Sequence, residues 1–261
     1  VAFLAGVLAD EPDNLALLKL SGLIGYRAQR YELARDRYAR AQALAPDEAS
    51  VANNLGLSLK ALGQAGPAIS AFRRAIAIKP DHAKAHQNMA LVLIDQGQAE
   101  QAETALRQAI AIDPAYSRAS CHLARLLRSR LQHKDAAKVL QAALRADPSK
   151  ISSAVEEMLR WVTPIQNMNR TATRDTLLAG QQIREGDRIL LLYPSANRDE
   201  AVFDHPDSFD IERTPNDHLA LGGYGRHHCL GAQLARLELR VLFEELLARP
   251  VDIELADPSV T

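Results

Sequence analysis

The chain has 261 residues, 47% hydrophobic and 24% charged, with a formal net charge of -1, so it is a globular chain and not a disordered or collagen-like one. No apolar run approaches the roughly 20 residues that cross a bilayer, the start Val1–Glu11 lacks the basic residues of a secretion signal, and two cysteines, Cys121 and Cys229, are too few for a disulfide framework. A cytoplasmic protein of two domains with no membrane span is expected. Charge divides the chain: residues 1–148 carry 19 Lys and Arg against 14 Asp and Glu, and residues 149–261 carry 12 against 18. The basic residues are interleaved with acids, which gives no reason to expect a nucleic-acid partner.

Prolines recur every 34 residues, at Pro12, Pro46, Pro80, Pro114 and Pro148, and four other columns keep their phase. A small residue stands at Gly22, Gly56, Ala90 and Ala124, and alanine at Ala34, Ala68, Ala102 and Ala136. A large apolar residue follows at Tyr38, Phe72, Leu106 and Leu140, then alanine at Ala41, Ala75, Ala109 and Ala143. Small residues let two helix backbones approach, the large one fills the space beside them, and proline separates one helix pair from the next. A 34-residue helix–turn–helix of this kind resembles the tetratricopeptide repeat. The domain expected over 1–148 is a solenoid with a partial repeat over 1–12 and full repeats over 13–46, 47–80, 81–114 and 115–148. The opening in mid-repeat, without methionine, reads as the start of a fragment.

The concave face of such an array is built from the first helix of each repeat. Asn53, Asn54, Gln87, Asn88 and His122 fall there. In peptide-binding relatives, asparagines at such positions offer amide donors and acceptors to an extended backbone, so a peptide or protein ligand is one reading. Solvated polar side chains are the other. Cys121 lies in the same region and is assigned no chemistry.

The 34-residue phase stops at Ser149. Ser152 or Ser153 could cap a helix over 154–162 that ends at Thr163-Pro164. Strands are expected over 167–173 and 188–193, with turns at Ala179-Gly180 and Glu185-Gly186-Asp187 between them. The stretch 195–217, rich in Asp, Asn and Pro, reads as irregular. A glycine-rich stretch, Leu221-Gly222-Gly223-Tyr224-Gly225, leads to His227-His228-Cys229, and a last helix runs from Gly231 to about Ala248.

Cys229 therefore follows a glycine loop and precedes a helix, where free backbone N–H groups and the helix dipole favour a thiolate. Gly223, Gly225 and Gly231 leave room for a flat ligand. This arrangement suits an axial haem ligand. Zinc lacks a second cysteine pair, Gly223-Tyr224-Gly225 is no dinucleotide fingerprint, and no Cys-x-x-Cys-His marks covalent haem.

Gly225-Arg226-His227-His228-Cys229-Leu230-Gly231 resembles the haem-binding loop of cytochromes P450, Glu157-Met158-Leu159-Arg160 their Glu-x-x-Arg helix, and Arg213 the arginine that joins that pair. The resemblance covers 149–261 and implies the C-terminal segment of that fold, an α+β piece following a mainly α chain. It implies that Cys229 is the axial iron ligand of haem b, iron protoporphyrin IX. Glu157, Arg160 and Arg213 would form a structural network, with Arg170 and His227 at the haem propionates. A ferredoxin-type electron donor would be implied for an active enzyme. The family's usual phenylalanine is replaced by Leu221, with Gly222 beside it. The family's oxygen-activating helix and substrate roof would lie where the repeats stand, and the chain stops before the final hairpin. Two functions follow: a haem-thiolate monooxygenase segment on a repeat scaffold, incomplete for catalysis, or an interaction module with an inert P450 remnant. The shared stretch Leu144–Ser149 reads as the point of fusion, made in a genome or in assembly.

Overall fold

The computed structural model describes residues 11–223, 225 and 228–249. Most of the partial repeat expected over 1–12 therefore lies outside the described residues, as do Tyr224, Arg226, His227 and residues 250–261. The chain divides into two compact units, 1–126 and 127–261.

The first unit is a run of antiparallel helix pairs: α1 (Leu15–Arg27) with α2 (Tyr31–Leu44), α3 (Ala49–Ala61) with α4 (Ala65–Ile78), and α5 (Ala83–Asp95) with α6 (Ala99–Ile112). Helix α7 (Ser117–Ser129) begins 34 residues after α5, as α5 begins 34 after α3. The small-residue columns sit where the helices of a pair cross. A Cβ on Gly22 would stand 2.9 Å from the Tyr38 ring, and one on Gly56 would stand 2.6 Å from the Phe72 ring. Where the large residue shrinks to Leu106, the small one grows to Ala90, and both are fully buried. Successive pairs share apolar clusters: Val51 of α3 packs with Leu18 and Tyr38, and Val92 of α5 packs with Leu59 and Phe72. Each repeat is thus buried by its neighbour.

The first helix of every pair ends in the same way. Gly63 and Gly97 adopt φ of +72° and +71°, and the next N–H reaches back across the turn, Gln64 to the Leu59 carbonyl at 2.9 Å and Gln98 to Leu93 at 2.8 Å. This is the left-handed helix cap that glycine favours. Gln29 and Leu131 take the same conformation at φ +57° and +60° with a Cβ in place.

The second unit opens with the end of α7 and helix α8 (His133–Ala146). The Asp147 carboxylate then accepts from the Ser149 N–H at 3.1 Å and starts a 3-10 turn, Pro148–Lys150, that runs into α9 (Ile151–Val162). The cap expected at Ser152 or Ser153 is not used. Both serines lie inside α9, because Asp147-Pro148 already supplies the acceptor and the preset φ that begin a helix.

Helix α9 stops at Thr163, which has φ +46° and precedes Pro164. Strands β1 (Asn167–Thr171) and β4 (Arg188–Leu192) pair antiparallel, with Asn167 opposite Leu192. Between them β2 (Thr176–Leu178) and β3 (Gln181–Ile183) form a hairpin through Ala179-Gly180, which the sequence marked as a turn without marking its flanks as strands. A short helix α10 (Tyr193–Ala196) leads into the irregular stretch, and α11 (Ala232–Ala248) closes the described chain, with Gly231 at its start. Arg145 of α8 donates to the Leu247 and Arg249 carbonyls at the end of α11. Among the described residues, no helix is long and apolar enough to cross a membrane.

Candidate functional site

Helix α9 organises the second unit through one fully buried pair. The Arg160 guanidinium holds Glu157 with two bonds of 2.8 Å, Nε to Oε2 and Nη2 to Oε1. Its remaining hydrogens go to backbone carbonyls of the irregular stretch, Asn197 at 2.7 Å, Pro206 at 2.9 Å and Ser208 at 3.1 Å. All of its donors are therefore used, which burial of a charged fork demands. Arg213 adds Nε to Glu157 Oε2 at 3.1 Å and donates to the carbonyls of Asp204, His205 and Ser208. The Asp210 N–H and the Asn216 amide also reach Glu157, at 2.8 and 3.2 Å. Two guanidinium charges on one carboxylate leave a positive excess, and the carbonyl oxygens around them offset it. The structure thus brings Glu157, Arg160 and Arg213 together as the sequence reading grouped them.

Asn197 ties the end of α9 to the cysteine-bearing region. Its amide donates to the Thr163 hydroxyl at 2.9 Å and its oxygen accepts from the Leu219 N–H at 2.7 Å. Cys229 is a free, half-buried thiol whose N–H donates to the Leu221 carbonyl at 3.0 Å, and Gly231 follows it at the start of α11. Gly222 and Gly225 have φ of +91° and +115°, the left-handed region in which a side chain is strained, so these glycines let the loop turn back on itself. A cavity of about 150 Å³ adjoins this loop, bounded by His218, Leu219, Gly222, Gly223, His228 and Arg236 among others.

Sequence reasoning missed Glu156, His218 and Arg236. Arg236 holds Glu156 through Nε at 2.7 Å and Nη2 at 3.0 Å, and His218 Nε2 lies 3.1 Å from the same carboxylate. His218 Nδ1 accepts from the Ala220 N–H, so its Nε2 carries the hydrogen that Glu156 receives. The His218 bond and then the Arg236 ion pair hold the Glu156 carboxyl down at about 2. The available signal was Arg236 itself: an arginine in the early turns of a helix opposes the dipole and calls for a carboxylate partner.

The other expected site residues are placed differently. Arg170 is exposed on β1, donating to the Asn169 carbonyl and touching the Met168 sulfur. His227 lies outside the described residues. In the repeats, Asn88 donates to Asn53 at 2.9 Å and Asn53 to Asn54 at 3.3 Å, a ladder across α3 and α5. Asn53 and Gln87 are buried, and Gln87 accepts from the Tyr116 hydroxyl. His122 pairs with Arg125 along α7.

The donor set at Cys229 fits a haem iron: a free thiol, no competing metal-ligand cluster among the described residues, and a glycine loop before a helix start. Fold and site define a helical repeat scaffold followed by a mixed helix-and-strand segment with a free cysteine in a glycine loop. Comparison with known proteins agrees in both halves. The tetratricopeptide repeat matches residues 21–83 and 88–151, with a further match over 59–109, and cytochrome P450 matches 143–249. Residues 21–151 are tetratricopeptide repeats, and residues 143–249 are a segment of the cytochrome P450 family.

Steroid C26-monooxygenase of Mycolicibacterium smegmatis (strain ATCC 700084 / mc(2)155) is 52% identical over 109 residues, 42% of this chain and 27% of that protein. Cytochrome P450-terp of Pseudomonas sp is 53% identical over 108 residues, 41% and 25% of the respective chains. The chain spans about a quarter of the length of these curated relatives. The crystal structure of MamA matches with a TM-score of 0.52 at 24% identity, over 56% of this chain and 86% of that one, a likeness of fold.

Proposed function

We propose that the segment from 149 onward holds haem b through the Cys229 thiolate, carried on a repeat domain over 1–148 that grips a peptide or protein partner. The observation that carries this reading is the free Cys229 thiol in a glycine loop whose approach is anchored, through Asn197 and the Glu157–Arg160–Arg213 network, to α9. Haem held by a thiolate supplies one-electron and oxygen chemistry. The chain's own residues would do the holding: Cys229 would ligate, Gly223, Gly225 and Gly231 would leave room for the ring, and Arg170 and His227 would receive the propionates. The relatives' names favour a monooxygenase acting on lipid-like substrates, with a ferredoxin-type donor supplying electrons. A chain with two cysteines and no disulfide framework favours a cytoplasmic place.

Oxygen activation by this chain would be incomplete. Leu230, Leu234, Val241 and Leu242 stand exposed at and beyond the cysteine, and Leu190 and Leu192 on β4. The same observations favour the second reading, a repeat module with an inert P450 remnant.

Titration with haemin, followed by dithionite and carbon monoxide, separates the two. The first reading expects the absorption band of a thiolate-ligated ferrous complex, lost in Cys229→Ser. A spectrum identical in both proteins and free of that band would leave only the scaffold.

A further inference from the structure

Glu156 and Glu157 are neighbours on α9, about 100° apart around the helix, and they grip different parts of the chain. Glu157 faces the irregular stretch and binds Arg160, Arg213 and Asn216. Glu156 faces the two flanks of the cysteine loop. Its Oε2 receives His218, which stands just before the glycine-rich stretch, and both of its oxygens receive Arg236, which stands just beyond it on α11. One carboxylate therefore closes the stretch 219–235 at both ends, with Cys229 inside it. His218 is almost wholly buried, with its side chain 1% exposed, and its second nitrogen takes the Ala220 N–H, so its ring orientation is fixed by the backbone of the loop it anchors.

We infer that Glu156 is a positioning residue of the cysteine loop: by tying His218 and Arg236 together it sets the entry and exit of the loop, and with them the place of the Cys229 sulfur. Its partners divide the work. His218 fixes the approach, and Arg236 pins the first turns of α11, whose start presents backbone N–H groups toward the cysteine side. The inference rests on the haem-thiolate reading only for what the position is used for. The clamp itself is a property of the chain without any cofactor.

Hydrogen exchange on the whole chain, without haem, tests the clamp directly. In Glu156→Gln, the amides of Gly222, Cys229 and Ala232, which bond to Leu219, Leu221 and Cys229, should exchange about tenfold faster or more. The amides of Asp210 and Arg213, held around Glu157, should keep their rates. Glu244→Gln, which removes an exposed ion pair with Arg240 on the same helix, should leave both sets unchanged. Unchanged exchange over 219–235 in Glu156→Gln would overturn the inference, and so would an equal acceleration around Glu157, which would mark general destabilisation.

A second readout uses haemin, dithionite and carbon monoxide. Glu156→Gln should lower the thiolate-ligated fraction relative to the unaltered chain, whereas Glu244→Gln should not. If the unaltered chain shows no thiolate complex, the haem reading fails, and the exchange rates still decide the clamp.

Discussion

Glycine at 56 has two effects of opposite sign. In a helix interior, alanine is favoured over glycine by about 1 kcal/mol, yet a Cβ at Gly56 would sit 2.6 Å from a fully buried Phe72 ring. Overpacking of a rigid neighbour costs about 1–3 kcal/mol and outweighs propensity. Gly56→Ala should therefore lower the urea midpoint, and Gly56→Ala with Phe72→Leu should recover part of the loss, since Ala90 and Leu106, both fully buried, hold the same two columns in the third repeat. A fall in the double variant equal to the sum of the single ones would refute the pairing. Leu131 is the reverse case: it is exposed and held at φ +60°, where the sister repeats have Gly63 and Gly97. Leu131→Gly should stabilise by about 1 kcal/mol, read as a higher thermal midpoint of the second unit. The 34-residue columns were legible because packing selects small against large. The cap column was not, because it reads Gln, Gly, Gly, Leu, and only backbone dihedrals unite it.

At the scale of elements, α9 is the hub of the second unit. Glu157→Gln would leave Arg160 and Arg213 buried with a neutral acceptor, a loss of about 3–5 kcal/mol by the measure of a broken buried pair. Denaturant unfolding should show it, with the fluorescence of Trp161, the single tryptophan, following the same transition. Trp161 packs edge-on against Phe209 and lies under Arg198, so it reports on this core.

Acid acts on the neighbouring carboxylate. With its folded value held at about 2 by His218 and Arg236, against an ordinary 4.5, Glu156 contributes stability that is complete above about 4.5 and is lost as pH falls toward 2. The urea midpoint should fall across that window, and less steeply in Glu156→Gln. The Glu157–Arg160 pair was legible through its resemblance to the Glu-x-x-Arg helix of cytochromes P450, because spacing alone reads as an ordinary ion pair on a helix surface. Glu156 was not, because its partners, His218 and Arg236, are distant in sequence and carry no motif. The β2–β3 hairpin was missed because its strands, three residues each and mostly exposed, lack an apolar alternation to mark them.

For the whole molecule, the repeats and the P450 segment are each continuous with their families, while the boundary between compact units, 126/127, lies earlier than the boundary read at 148. Sequence columns follow repeat ancestry, whereas compactness follows contacts: Leu144 and Ile151 are buried in the second unit, and Arg145 caps the end of α11. The exposed leucines of α11 make a further test. Leu234→Gln with Leu242→Gln should change stability by no more than about 0.5 kcal/mol per site and raise the concentration at which the protein stays monodisperse in light scattering. The account depends most on a sulfur bond to iron at Cys229. X-ray absorption at the iron edge of the haemin-loaded chain measures it directly. A sulfur scatterer in the first shell, absent in Cys229→Ser, is the expected result; a shell of nitrogen and oxygen alone, the same in both proteins, would contradict it.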